Sequence, residues 1–307
     1  MAADAYYDKV VLLLPMNGAD GGTTFTDYSQ RKMEVFANGG VKTETDRSKY
    51  YGSSGYFDGT GDYLSLYDTN YLYFNGDFCI EAWVSLTALP EAGIEDNQIR
   101  MIYCDRDRLS DAYRIFFGVS YWQGSQTSPG LWFQINNSTN VLSLIGSPTS
   151  AMQANTWYHC AATVSSGTGR IFIDGKLINS ALLSGSVPNI SWIPVIGTGW
   201  SGYFDFHGYM QDLRITKGVA RYTDTFTPPG KLVGTISGTI YDANGDAAQR
   251  TVIAVPRSYP NSRTFTTQSS AANGTYSLSV PDVECSRIVL ADETTLYNDI
   301  VDRVYPG

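Results

Sequence analysis

A hydrophobic pattern of period two recurs along this chain, and no stretch of helical length carries an apolar stripe at helical spacing. Successive side chains of a strand point to opposite faces, so such alternation specifies strands rather than helices. The run Phe78-Cys79-Ile80-Glu81-Ala82-Trp83-Val84 is the most constraining. Phe78, Ile80, Ala82 and Val84 form one face, and Cys79, Glu81 and Trp83 the other. With one carboxylate as its sole charge, this run is expected to be a central strand covered on both sides. Further strands are predicted at 114–119, 131–135, 157–164 and 209–216. Residues 170–178 are predicted to be a hairpin, because Asp174-Gly175 is the pair that a two-residue turn with positive φ at both positions selects. A short turn at 219–222 is the sole helix-like signal.

Composition agrees. The 30 Gly and 12 Pro suit turns, and 22 Tyr, 13 Phe and 6 Trp suit half-buried pleated surfaces. Only 17% of residues are charged, which argues against a coiled coil or a disordered tail. A length of 307 residues accommodates two domains. Phe226-Thr227-Pro228-Pro229-Gly230 reads as a linker, since two prolines and a glycine cannot continue a strand ladder. The expected division is therefore 1–230 and 231–307, with new strands at 236–241 and 275–280 and tight turns at Asn244-Gly245 and Asn273-Gly274. All six tryptophans precede the linker.

The net charge of −9 disfavours nucleic acid as a partner. The apolar run Val10–Leu14 is far shorter than the ~20 residues of a membrane helix and lacks a basic flank, so neither membrane insertion nor a classical export signal is expected. Cys79, Cys104, Cys160 and Cys285 match no zinc spacing and read as small buried hydrophobes. A Cys79–Cys160 disulfide would require their strands to face each other.

Four segments resemble the concanavalin A-like lectin/glucanase jelly roll of laminin-G/pentraxin type. They are Tyr56-Phe57-Asp58-Gly59-Thr60-Gly61-Asp62-Tyr63-Leu64, Asp77 with the run to Val84, Trp157-Tyr158-His159 with the Asp174-Gly175 hairpin, and Gly208-Tyr209-Met210-Gln211-Asp212-Leu213-Arg214-Ile215. Two more segments resemble laminin-G-like virion proteins of tailed bacteriophages: Val10-Val11-Leu12-Leu13-Leu14-Pro15-Met16-Asn17-Gly18, and the run from Met210 through Lys217-Gly218-Val219-Ala220-Arg221-Tyr222 to Phe226-Thr227-Pro228-Pro229. The C-terminal piece is similar to carboxypeptidase-regulatory-like, transthyretin-like β-sandwiches, through Ile236-Ser237-Gly238-Thr239-Ile240-Tyr241-Asp242 and Asn273-Gly274-Thr275-Tyr276-Ser277-Leu278. The expected fold is thus all-β: a jelly-roll sandwich followed by a small Ig/transthyretin-like sandwich. A lysine–asparagine isopeptide bond within the second domain is excluded, because 232–307 contains no lysine.

Glycoside hydrolysis needs two carboxylates flanking the bond. Asp105 and Asp107 have a same-face spacing, but they read as the edge of a polar loop, and Glu81 has Cys79 and Trp83 rather than acids as same-face neighbours. Neither His159, expected as a core residue, nor His207 lies beside a serine elbow. The chain is therefore expected to be non-catalytic. Sugar recognition uses aromatic faces with a few polar groups, and two segments supply both. They make Tyr121, Trp122, Trp200, Tyr203, Asp205 and His207 the candidate ligand-binding residues, for a glycan or a protein partner. The resemblance implies calcium as the usual ion, and Asp58 and Asp62 are its candidate ligands; the alternative is a turn whose carboxylates cap its own amides. No cofactor is required.

Together these readings point to a structural protein of a tailed-phage virion, tail-associated, with a lectin-like domain that attaches to host-surface glycans. The alternatives are a capsid decoration or assembly protein that binds no sugar, and a secreted glycan-active enzyme or accessory module. Other virion proteins are the expected partners, and a homo-oligomer, first of all a trimer, is the base-rate expectation for a phage appendage.

Overall fold

The computed structural model describes residues 4–67, 72–91, 98–106, 114–121, 128–136, 141–146, 152–185, 193–199, 204–242, 244–257, 264–289, 299–304 and 306. Among them the chain is all-β, its one helical element being a three-residue 3-10 turn at Tyr7–Lys9. Contacts divide the chain into Lys9–Pro229 and a second unit made of Met1–Asp8 with Gly230–Gly307.

The larger unit contains β1 (Val10–Leu14), β2 (Val35–Asn38), β3 (Lys42–Glu44), β4 (Ser54–Asp58), β5 (Tyr63–Leu66), β6 (Phe78–Leu86), β7 (Ile99–Arg106) and β8 (Arg114–Ser120). It continues with β9 (Gly130–Asn136), β10 (Val141–Gly146), β11 (Tyr158–Ser165), β12 (Thr168–Ile173), β13 (Lys176–Leu182), β14 (Val195–Ile196) and β15 (His207–Lys217). One sheet runs β13-β12-β11-β6-β15-β4-β3, with β1 also pairing with β15; the other runs β10-β9-β8-β7-β14-β5-β2. The described pairings are antiparallel. The two sheets meet face to face as a jelly-roll sandwich. Their core joins Phe78, Ile80, Ala82 and Val84 of β6 to Ile115, Phe117, Leu131 and Phe133 of β8 and β9. The rings of Phe78 and Phe133 lie 6.2 Å apart across it. Each of these Phe, Ile, Val and Leu side chains, fully buried, contributes roughly 1.5–3 kcal/mol.

Strand β6 is buried along its whole length, as its two-faced apolar pattern predicts. Its outer face lies under two segments. Near one end, Tyr50 packs edge-on against Trp83, and the Lys49 ammonium stands 4.1 Å over the same ring. Near the other, residues 218–229 form a strap over Cys79 and Glu81. Cys160 belongs to the inner core and pairs with Ala82, whereas Cys79 pairs with Thr163 on the outer face. The two thiols therefore point to opposite sides of the sheet, and all four cysteines are free and buried.

Strand β15 changes phase midway. Gln211 pairs with Trp83, but Arg214, three residues later, pairs with Glu81, two residues away on β6. The extra residue is a β-bulge at Asp212, whose φ of 50° is left-handed. Before it, Tyr209 and Gln211 face outward and Met210 inward; after it, Arg214 and Thr216 face outward and Leu213 and Ile215 inward. At the same point the other neighbour of β15 switches from β4 to β1. The turns Ser166-Gly167 and Asp174-Gly175 join β11 to β12 and β12 to β13, each with positive φ at both residues, as the second pair predicts.

The second unit pairs β16 (Val233–Thr239) with β19 (Thr275–Pro281). A four-stranded sheet runs β18 (Phe265–Gln268), β17 (Thr251–Pro256), β20 (Cys285–Val289), β21 (Asp299–Val304). Tyr276, Leu278 and Val280 are buried at alternate positions of β19, with Val252 and Ala254 of β17 also in the interior. Asn244-Gly245 lies in a turn that Asp242 caps, its carboxylate accepting the amides of Asn244 and Asp246.

Candidate functional site

One rim of the sandwich gathers the ends of β4, β6, β8 and β14 and the starts of β5, β7, β9 and β15. The turn from β4 to β5, Asp58-Gly59-Thr60-Gly61-Asp62, sits at its centre. Gly59 and Gly61 have φ of 86° and 72°, so two left-handed residues reverse the chain within five positions. Gly59 is doubly required, since a Cβ there would stand 2.8 Å from the His207 ring, whose residue pairs with Asp58.

The carboxylates of this corner are committed to donors. Asp62 is 1% exposed and accepts the amides of Asp58, at 2.9 Å, and of Gly40. Asp58 accepts the Thr60 amide at 2.7 Å. Asp205 accepts the Gly61 amide at 2.7 Å and the Thr198 hydroxyl at 2.6 Å. Calcium requires six to eight oxygens directed at one point. Here N–H and O–H groups converge on the carboxylates instead, and among the described residues no three His, Cys, Asp or Glu side chains are arranged to hold a metal. Asp58 and Asp62 thus fit the amide-capped turn and do not fit a calcium cage.

Asp205 closes the neck of the loop between β14 and β15. Two bonds cross that neck: Thr198 to Asp205, and the Phe206 amide to the Gly197 carbonyl at 2.7 Å. Trp200 and Tyr203, carried by that loop, lie outside the described residues, as does Trp122 of the loop between β8 and β9. Tyr121, the first residue after β8, donates its amide to the Gln98 carbonyl at 2.8 Å. The structure therefore brings Asp58, Asp62, Asp205 and His207 to one corner, with Tyr121 on the same rim. Burial, and next the charge of Arg100, pull the His207 imidazole below its ordinary pKa, against Asp58. Arg100 itself donates to the backbone carbonyls of Ala88 and Asp205. Sequence reasoning missed Arg100 and Thr198; a charge inside Ile99-Arg100-Met101-Ile102 was the available signal.

A second polar cluster lies on the outer face of the first sheet. Glu81, 1% exposed, receives Arg214 Nε and Nη2 at 2.8 Å, His159 Nε2 at 3.1 Å and the Tyr222 hydroxyl at 2.8 Å. Burial alone would raise its pKa; the Arg214 charge and the His159 hydrogen bond override this and hold the carboxyl well below the usual range. Tyr222 comes from the strap, where its ring stacks on Phe226. The strap is tied further by Thr163 Oγ1 to the Tyr222 carbonyl at 3.0 Å and by the Phe226 amide to the Gly175 carbonyl at 2.9 Å. Glu81 and His159 are thus locked in a sealed structural network. Asp105 is 2% exposed, and burial raises its pKa well above the ordinary value; Asp107 lies outside the described residues.

A laminin-G family model described as the concanavalin A-like lectin/glucanases superfamily matches residues 58–221. Among solved structures, the chain is similar to domain 4 of AbnA, an extracellular GH43 arabinanase of Geobacillus stearothermophilus, solved with arabinotriose. Identity is 17%, coverage 69% of this chain and 93% of that one, and the TM-score 0.50. The binding domain of Paraclostridial Mosquitocidal Protein 1 is 13% identical over 98% of this chain and 74% of its own, with a TM-score of 0.51. The binding domain of botulinum neurotoxin serotype D is 13% identical over 99% and 81%, with a TM-score of 0.50. At these identities the likeness is one of fold. No curated protein sequence matches the chain.

Proposed function

The chain belongs to the concanavalin A-like lectin/glucanase superfamily, and from that premise we propose that it is a non-catalytic glycan-recognition protein working through the rim around Asp205 and His207. One observation carries the reading. The loop bearing Trp200 and Tyr203 is pinned at its neck to the β4–β5 turn through Asp205. A clamped neck fixes where a loop begins and leaves its side chains to recognition, which is how rigid scaffolds present binding residues. Relatives by fold include a domain solved with arabinotriose and toxin binding domains, which supports the same class of role. The commitment of Glu81 to Arg214, His159 and Tyr222 and the burial of Asp105 support the non-catalytic part.

The finer proposal places the protein on a tailed-phage virion, associated with the tail, where the rim attaches to host-surface glycan. The strap carries the segment that resembles phage virion proteins, and here it is what seals Glu81. A transthyretin-like second domain completes the proposal. The test is binding to a glycan array and to host cells, with Trp122→Ala and Trp200→Ala. Loss in either variant supports the rim; unchanged binding in both removes it. Mass spectrometry of purified particles tests the virion assignment.

Assembly contact is the second reading, favoured by β13. This edge strand is exposed along most of its length, with Leu177 at 41% and Leu182 at 79%. An exposed apolar edge invites pairing with another chain. Light scattering of wild type and Leu182→Lys reads it: a homo-oligomer that dissociates in the variant supports subunit contact through this edge.

A further inference from the structure

At the rim opposite His207, residues 72–77, the Ser166-Gly167 turn and residues 183–185 surround a cavity of ≈ 230 Å³. Its walls are tied together. The Asp77 carboxylate accepts the Ser166 amide at 2.8 Å, the Asp77 carbonyl accepts the Gly218 amide at 2.7 Å, and the Gly167 carbonyl accepts the Leu183 amide at 2.7 Å. A cavity framed this way exists before any ligand arrives, which lowers the ordering cost of binding.

Its lining combines two chemistries. Val164 and Leu183, 2% and 8% exposed, provide an apolar floor, and the Tyr73 ring provides a wall. The lining also includes Asn75, exposed and without a hydrogen bond among the described residues, and Asp77, whose second oxygen has one long contact, 3.4 Å, to the Ser165 hydroxyl. Gly76 and Gly167 open the remaining wall to the backbone. Aromatic and aliphatic groups lining one cavity with unspent hydrogen-bonding groups match a ring that is apolar on one face and rich in hydroxyls at its edge. The Asp77 carboxylate repels phosphates and carboxylates. A single carboxylate, with the Lys217 ammonium 5.9 Å from the neighbouring Tyr73 ring, offers a cation little. The volume suits one ring rather than a chain.

We infer that this cavity is a binding site for a single neutral pyranose, its C–H face on Tyr73 and Leu183 and its hydroxyls on Asn75 and Asp77. The inference goes beyond the rim reading and stands on separate residues.

Gly76 supplies the decisive variant. Its φ lies outside the left-handed region and no atom lies within 4 Å of a Cβ placed there, so a large side chain enters without backbone strain. The full chain is titrated with methyl β-D-glucopyranoside and methyl β-D-galactopyranoside while backbone amide shifts are followed by NMR. Saturable shifts at Gly76, Gly167 and Gly185 are expected for at least one sugar, with a dissociation constant of roughly 1 mM, as the size of the ligand sets. Gly76→Trp and Tyr73→Ala each weaken it by about tenfold or more, with thermal melting unchanged in Gly76→Trp, whereas Trp200→Ala leaves these shifts in place. Absence of saturable shifts at these amides with both sugars, or undiminished affinity in a folded Gly76→Trp, overturns the inference. Sugar shifts confined to the rim and lost in Trp200→Ala would overturn it while upholding the rim.

Discussion

Two acid-bearing polar regions of the larger unit are built on different terms. Beneath the strap, Glu81 meets side chains: Arg214 from β15, His159 from β11 and Tyr222 from the strap itself. At the rim, Asp58, Asp62 and Asp205 meet mostly backbone amides of nearby turns. The first arrangement ties three distant pieces of chain around one buried charge, with Arg221 of the strap also 3.8 Å away, so removing a partner leaves a buried charge with fewer donors. The second fixes the course of turns whose neighbours stay open to solvent. A buried carboxylate thus serves two ends in one sandwich, closing a face and shaping an edge.

The largest expected contrast breaks the charge itself. Arg214→Met removes the two closest donors of Glu81 and leaves it the Arg221 guanidinium at 3.8 Å, and is expected to cost about 3 kcal/mol, read by urea unfolding. Asp205→Asn, which retains an acceptor for Gly61, should cost about 1 kcal/mol. Near-equal losses would mean that the two regions are not distinct in kind.

Glycine substitutions sharpen the comparison. Gly175, at φ 75°, would drive a Cβ to 1.9 Å from the Phe226 carbonyl oxygen, which is backbone of the strap. Gly59 would meet the His207 ring, a side chain with some room to turn, and Gly61 would meet nothing. Alanine at Gly61 should therefore cost only the left-handed strain, about 1–2 kcal/mol, Gly59→Ala more, and Gly175→Ala the most, in thermal unfolding of the three variants.

Acid should distinguish the regions by a smaller margin. The Glu81 carboxyl is held below its ordinary value of 4.5, so the unfolded chain binds a proton there that the folded chain refuses. Its contribution is present in full above pH 4.5 and is lost as pH falls below that value toward the folded pKa. Stability measured between neutral pH and about pH 3 should fall less steeply in Glu81→Gln than in wild type. Tyr222→Phe removes one hydroxyl from Glu81 and should cost roughly 1.5–3 kcal/mol, as for a bond to a charged group, less than Arg214→Met and without altering any glycan binding.

Much of this fold was written locally. The two-faced pattern of 78–84 foretold a strand buried on both sides, and Asp174-Gly175 foretold its turn. What sequence reading lost was whatever depends on contacts between distant residues. A period-two reading of 209–216 has no means of placing the bulge, since Asp212 is an ordinary polar residue until Trp83 and Glu81 show that the count is off by one. The segment 226–230 read as a linker because its prolines cannot pair, yet Phe226 holds the strap by ring stacking and one amide bond. At the rim, Asp205 and His207 were legible as residues of interest, and Asp58 and Asp62 as a turn. Their partners are mainly amides, which every residue possesses, so no letter of the sequence marks them.

The bulge at Asp212 gives β15 a property best put in the language of signals. A strand is a carrier of period two, and an extra residue advances its phase by half a cycle. Upstream the carrier addresses Tyr209 and Gln211 to the outer face; downstream it addresses Arg214 and Thr216 there. The downstream addresses therefore depend on Asp212 staying out of the count. Were Asp212 drawn into the ladder as an ordinary residue, every downstream side chain would be delivered to the wrong address, with Arg214 sent into the core and Leu213 sent to meet Glu81, whereas deleting it would restore an unbroken count and keep Arg214 opposite Glu81.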